Sequence, residues 1–303
     1  MSIALAFLIA FSFLFCLRAA LGTEYPLLVV SSGSMLPTLN IGDMIVVQSI
    51  DPSKIHADEL AGDIVVFRSP VNPNELIVHR AIRTYNDTNG RYMIVTSGDA
   101  FKGMDTFSPW DASLLVGKVV MRISYIGNLT LLLNSGKGIF TIMILMIVAI
   151  LATLMLLTDL NQEEEPKKVG EKRKQENTKH LAYMIAVNIL IISFMLFSLW
   201  GSFTFWQPGA AEPKYVTILG MYRDLQLHES GNNIEKAFLS QGFLTYRIDC
   251  QLTNGGIRLG VPTFSWFQLS LLALIIFDGW KILNPLIQTR RKERKSASKA
   301  EDS

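Results

Sequence analysis

The sequence predicts a mainly β domain on the outer side of a membrane, carried by about four transmembrane α-helices. Composition is the first reason: half of the 303 residues are hydrophobic and only 18% are charged, with a mean hydropathy of +0.31. Those values exclude a disordered chain and disfavour a purely soluble globule. The second reason is a set of charge-poor apolar stretches long enough to cross a bilayer. The third is a region, residues 23–137, in which short β-type runs alternate with turn residues. The net charge of +2, from 28 Lys and Arg against 26 Asp and Glu, gives no global field to draw nucleic acid, and none is expected as a partner. Two cysteines, Cys16 and Cys250, are too few for a disulfide framework.

Residues 1–22 form the first expected span. They are uncharged as far as Arg18, whose side chain can snorkel. A retained anchor is favoured over a cleaved signal peptide, because no basic segment precedes the apolar run and because the crossings then leave both chain ends on one side. Residues 138–158 are uncharged and dense in Ile, Leu and Met; residues 181–201 are similar, with Trp200 and Trp206 placed like an aromatic belt. The fourth span is expected over 259–283, where Asp278 and Lys281 are spaced to pair on a helix, a polar contact with another helix being the other use of Asp278.

Charge sets the orientation. The linker 159–180 carries Lys167, Lys168, Lys172, Arg173, Lys174 and Lys179, and the tail 284–303 carries a second basic cluster, Arg290 to Lys299. Short basic loops stay cytoplasmic, so both termini are expected inside, with 23–137 and 202–258 facing outward; Arg18 mildly opposes this. The expected location is the cell membrane, multi-pass.

Within 23–137, strand-like runs at 27–30, 44–47, 64–67, 76–78, 92–96 and 116–123 are divided by Gly-Asp, Asn-Pro and Asn-Gly signals. Asn86-Asp87-Thr88-Asn89-Gly90 combines a hairpin turn with a glycosylation acceptor pattern. In 202–258, runs at 215–219 and 243–248, and Asn254-Gly255-Gly256 between two β-like stretches, suggest a hairpin and a small β subdomain.

The chemistry starts from a turn, Ser31-Ser32-Gly33-Ser34-Met35-Leu36-Pro37-Thr38-Leu39, placed directly after a strand and able to expose a serine. A serine hydroxyl is a poor nucleophile without a base to take its proton. His79, in the β-like run Ile77-Val78-His79-Arg80-Ala81-Ile82, is an ionisable imidazole among apolar neighbours, the side-chain type suited to taking a proton near neutral pH. A third group should hold its tautomer. The loop Ser97-Gly98-Asp99-Ala100-Phe101-Lys102-Gly103-Met104-Asp105 offers two carboxylates. Taken singly, each of these residues is more often structural than chemical.

Their order adds more. A Ser-Gly-Ser-Met-x-Pro turn, then Gly42-Asp43-Met44-Ile45-Val46-Val47, Gly62-Asp63-Ile64-Val65-Val66-Phe67, Val78-His79-Arg80, Gly98-Asp99 and Gly117-Lys118-Val119-Val120 resembles the type I signal peptidases over roughly residues 5–158. Histidine before the arginine of the fourth motif, where bacterial members carry lysine, resembles the archaeal and endoplasmic-reticulum branch. The resemblance implies a signal-peptidase-like β catalytic domain with Ser34 as nucleophile, His79 as general base, Asp105 as orienting acid and Asp99 in support. It implies that the Ser32 hydroxyl joins the Ser34 amide in an oxyanion hole. Ala100 departs from the family's usual Gly-Asp-Asn at this point. Met35 and Leu36 are expected either to line the substrate cleft or to pack the β core.

The expected function is therefore a membrane serine endopeptidase that removes signal peptides from exported proteins, with no metal and no organic cofactor. Its expected partners are preprotein signal peptides, the lipid bilayer and the protein translocation channel. Three other readings stand beside it: a peptidase devoted to one surface-protein substrate, a silent membrane scaffold of the same fold, and a Ser-Lys self-cleaving regulator. The last needs a lysine base, for which Lys54 and Lys102 are available outside the fourth motif.

Overall fold

A computed structural model describes residues 3–101, 103–134, 169–206, 215–231 and 233–281. The chain divides into two units: residues 1–162 with 200–264, and residues 163–199 with 265–303.

The first unit is built around β3 (Ile64–Arg68), whose first four residues are buried on both faces. An uninterrupted apolar run, Ile64-Val65-Val66-Phe67, lets alternate side chains serve two cores. Ile64 and Val66 join Val30, Met35, Leu39, Ile45, Val47, Val119 and Val261 on one side. Val65 and Phe67 join Ile55, Ala81, Ile94, Trp110 and Ala112 on the other. β3 pairs antiparallel with β4 (Leu76–Asn86) and with β7 (Leu115–Ile123). β4 pairs with β5 (Tyr92–Ser97) across the 87–91 hairpin, and β5 with β6 (Trp110–Asp111). β1 (Leu27–Val29) and β2 (Met44–Gln48) form a second arm against β7. The expected hairpin at 86–90 forms; Gly90 takes the left-handed φ of +77° that this turn requires.

The region 202–258 differs from expectation. β8 (Ser202–Trp206) and β9 (Tyr215–Leu219) make a separate two-stranded sheet. Instead of forming a subdomain of their own, β10 (Ile234–Gly242), β11 (Thr245–Leu252), β12 (Ile257–Arg258) and β13 (Thr263–Phe264) continue the main sheet, in the order β10-β11-β13-β7-β3-β4-β5-β6. Main-chain pairing joins the two parts: β13 lies parallel to β7, Thr263 opposite Arg122. The expected turn at 254–256 connects β11 to β12, with Gly255 and Gly256 both at positive φ.

Among the described residues, the helices of this unit are α1 (Ile3–Leu21), α2 (Ile126–Asn134) and, following α3 (Val169–Trp200) in the chain, α4 (Met221–Glu229). α1 exposes Leu8, Phe11, Phe13 and Phe15. It stops where Gly22, at φ +64°, donates its N–H to the Arg18 carbonyl.

The second unit contains most of α3 (Val169–Trp200) and a last helix, α5, over residues 266–281. The end of the expected basic linker, from Val169 onward, is already helical. α5 begins at 266 and not at 259, because residues 259–262 include Gly260 and Pro262 and the next two residues are strand β13. Tyr183 meets Phe277 and Phe194 meets Trp266, so α3 and α5 run antiparallel. Asp278 accepts from Asn188 Nδ2 at 3.1 Å, while Lys281 Nζ lies over the rings of Tyr183, Phe277 and Trp280. The expected Asp278–Lys281 pair is replaced by these contacts. Among the described residues one stretch, Tyr183–Trp200, is long and apolar enough to cross a membrane, and Phe11–Leu21 is a shorter apolar one. The expected span 138–158 and the tail 284–303 lie outside the described residues.

Candidate active site

The Ser34 turn leaves β1 and returns to β2 through a chain of local bonds. Leu36 N–H donates to the Gly33 carbonyl at 3.2 Å, Leu39 N–H to Met35 at 2.9 Å, and Val30 N–H to Asp43 at 2.9 Å. Gly42 closes the turn at φ +91°, and a Cβ there would meet Asn128 Oδ1 at 1.6 Å, so glycine is required twice over. Met35 anchors the turn in the first core, 1% exposed, and also borders the cleft in front of Ser34. Leu36 is half-buried against Gly33 and does not line the cleft in front of Ser34.

His79 sits on β4 opposite Val65 of β3. Pairing of β4 with β5 places Arg80 opposite Ser97 and Ala81 opposite Thr96, which delivers the following loop to the imidazole. There Asp105 Oδ2 accepts from His79 Nδ1 at 2.6 Å and from Thr96 Oγ1 at 2.7 Å. With the proton on Nδ1, the Nε2 lone pair is left available. Asp105 is itself fixed by its N–H, which donates to the Thr96 carbonyl at 2.9 Å. Trp110 Nε1 donates to Thr96 Oγ1 at 3.1 Å, and Ser108 Oγ accepts the Thr96 N–H at 3.1 Å. Phe107 lies parallel to the His79 ring at 6.3 Å. Thr96, Phe107, Ser108 and Trp110 escaped the sequence reading; the one usable signal was that they flank both carboxylates closely.

Ser34 and His79 face one cleft of about 340 Å³ with Ser31, Ser32, Val29, Val30 and Phe107 among its walls. Ser32 Oγ is 3.4 Å from Ser34 Oγ. No hydrogen bond joins Ser34 Oγ to His79 among the described residues; such bonds are often long in an unliganded site. Gly98 brings the two together: a Cβ on it would lie 2.7 Å from the Ser34 carbonyl oxygen and 3.2 Å from His79 Nε2. The Ser34 carbonyl is also held by the Ala100 N–H at 2.9 Å, a main-chain bond that needs no side chain at position 100.

Asp99 does not meet the imidazole. Its two oxygens accept Arg80 Nε at 2.8 Å and Nη2 at 2.7 Å, and Oδ2 also accepts the Thr38 hydroxyl. Burial alone would raise this carboxyl, but the Arg80 guanidinium, helped by Arg258 and Thr38, holds it below the usual carboxylate range. The bidentate pair ties β4 to the loop after β5, and the Thr38 hydroxyl on the same carboxylate ties both to the Ser34 turn. Lys54 is exposed at the end of the Pro52–Lys54 turn of helix, and Lys102 lies outside the described residues.

An alcohol and an imidazole on one cleft, the imidazole bonded to a carboxylate, are the residue types of a Ser-His-Asp site on a curled β sheet. A family profile described as "Signal peptidase, peptidase S26" matches residues 1–85. The human "Signal peptidase complex catalytic subunit SEC11C" is 32% identical over 120 residues, which are 37% of this chain and 59% of that protein. The SEC11 subunit of Plasmodium falciparum is 32% identical over 137 residues, 42% of this chain and 70% of the relative. That of Pyrenophora teres f. teres is 30% identical over 136 residues, 42% and 75%. The chain belongs to the peptidase S26 signal peptidase family, in the branch of the SEC11 subunits. It spans 59% of the length of the SEC11C relatives it matches.

Proposed function

We propose that this chain is a membrane-bound serine endopeptidase that cuts signal peptides from exported proteins. The observation that carries the reading is the 2.6 Å bond from His79 Nδ1 to Asp105 beside the cleft that holds Ser34. The preprotein lies extended in the cleft, with the small residues before the scissile bond against Val29, Val30 and Phe107. Ser34 Oγ attacks the scissile carbonyl carbon while His79 Nε2 takes the hydroxyl proton, and Asp105 steadies the imidazolium. The resulting oxyanion is met by the Ser34 N–H and the Ser32 hydroxyl. Collapse of this intermediate breaks the C–N bond, and His79 returns its proton to the leaving amine of the mature protein. Water, deprotonated by His79, then releases the signal peptide from Ser34. Asp99 takes no part in proton transfer; its work is to fix the turn through Thr38.

The exposed apolar surface of α1 and the Tyr183–Trp200 span support a multi-pass membrane protein with its catalytic domain outside the cytoplasm. Only a site tethered close to the bilayer meets a signal peptide still embedded there. The bilayer and the translocation channel are the proposed partners. The test is cleavage of a panel of exported precursors by the full chain in detergent. Wild type is expected to cut many of them, and Ser34→Ala and His79→Ala to cut none. Cleavage by Ser34→Ala at the wild-type rate would end the proposal.

A further inference from the structure

A second buried cluster of charged groups grips the far end of the Ser34 turn, and none of its charged members lines the cleft. Arg122 of β7 is 2% exposed. Its Nη1 donates to the Thr38 carbonyl at 3.1 Å and to Asp43 Oδ2 at 3.2 Å, its Nε to Thr263 Oγ1 at 3.0 Å, and its Nη2 to Asp224 Oδ2. Asp224 of α4, 1% exposed, also accepts from the Tyr246 hydroxyl at 3.0 Å and from Asn40 Nδ2 at 3.3 Å. Asp43 Oδ2 accepts the Asn40 N–H at 2.8 Å. His228, one helical turn after Asp224, donates Nδ1 to the Asp224 carbonyl at 2.9 Å. Burial holds that imidazole below its ordinary value, so it adds a donor and not a second cation.

Thr38 is where the two charge clusters meet: Arg122 holds its carbonyl and Asp99 its hydroxyl. Asn40 is likewise held by Asp43 and Asp224. Replacing buried ion pairs by apolar side chains is often neutral or stabilising, so such a cluster at this turn points to geometry more than to stability. We infer that Asp224 is a positioning residue for the Ser34 nucleophile, acting through Arg122, Thr38 and Asn40, so that residues 215–264 complete in cis a site whose reacting groups all lie before residue 110. The inference rests on the reading of Ser34 given above.

The experiment compares wild type, Asp224→Asn, the double variant Arg122→Met with Asp224→Leu, and Arg247→Gln, whose partner Asp249 is outside the cluster. Each is the full chain in detergent, read by kcat and KM on one preprotein, by amide exchange over residues 31–43, and by thermal unfolding. Asp224→Asn is expected to lower kcat about tenfold with KM changed less than about twofold, and to speed exchange over 31–43 about tenfold. The double variant leaves no unpaired cation, and Asp43, whose carboxyl burial already pushes up to about 6 against the pull of Arg122, takes up a proton once that cation is gone and so leaves no buried anion at neutral pH. It is expected to unfold near the wild-type temperature yet keep the low kcat, whereas a merely structural role would restore both. Arg247→Gln is expected to behave as wild type. Wild-type turnover and wild-type exchange over 31–43 in Asp224→Asn, or recovered turnover in the double variant, would overturn the inference. If Asp224→Asn does not fold, the double variant alone decides. A wild type that cuts no preprotein would sink the proposed function instead, and exchange over 31–43 would then decide whether Asp224 positions the turn.

Discussion

A carboxylate that accepts the Nδ1 proton of an imidazole leaves Nε2 free to take another, and Asp105 stands in that relation to His79. Asp105→Asn keeps the shape but presents an amide that can stabilise the wrong tautomer. We expect kcat to fall by roughly 10³- to 10⁴-fold with little change in KM, measured on one preprotein at fixed pH. Gly98 is a second point of dependence. The Cβ of Gly98→Ala would press on a main-chain oxygen, that of Ser34, which cannot swing aside as a side chain can. Steady-state kinetics should show a loss of at least about tenfold in kcat, with the protein still folded. Asp99 titrates with a definite sign. Its folded-state value is depressed, so its contribution to stability is fully present above the unfolded carboxylate value and is lost as the pH falls through the folded one. Asp99→Asn strands the Arg80 cation, at a cost of about 3 kcal/mol. In urea titrations the gap between variant and wild type should stay constant from neutral pH down to about 4 and narrow below it.

Elements carry these residues because their sequences fit their places in the sheet. β3 is apolar on both faces, and Phe67 uses this to stack on Trp110 at 4.1 Å and to meet Phe107 at 5.9 Å. Phe107 in turn flanks His79, so the second core reaches the imidazole through one ring. Phe67→Ala should therefore cost about 3–5 kcal/mol of stability by denaturant unfolding. It should also lower kcat, which a core residue remote from the site would not do. The strands 27–29, 44–48, 64–68, 92–97 and 115–123 were legible from period and turn signals, each within a residue or two. β10 was not, because Ile234 to Gly242 mixes polar and apolar residues without strict alternation and is mostly exposed, and its partner β11 decides its conformation. The start of α5 was misplaced because Val261 and Phe264 are apolar for the sheet and not for a bilayer; hydropathy cannot tell the two burials apart.

At the scale of the whole molecule, the chain passes through α3 and comes back to finish a sheet begun two hundred residues earlier. Deleting residues 215–264 would remove β11 and β13 and strand Arg122 without Asp224 or Thr263. Such a variant is expected to show no cooperative unfolding transition by circular dichroism, whereas an independent β module could be removed without that loss. The sequence alone determined the β character of 23–137, the order of its glycine-marked strands, and the candidates Ser34, His79 and Asp105. Those are local signals: alternation, turn residues and motifs of a few positions. The resemblance implies Asp105 as the orienting acid, but local pattern treats two carboxylates six positions apart as equivalent; only the tertiary structure shows the bond from His79 to Asp105 and gives Asp99 to Arg80 and Thr38. The same holds for Arg122 and Asp224, which lie 102 residues apart and meet because β13 pairs with β7. A contact between distant segments leaves no periodic trace in either one, so it becomes visible only when the sheet brings them together.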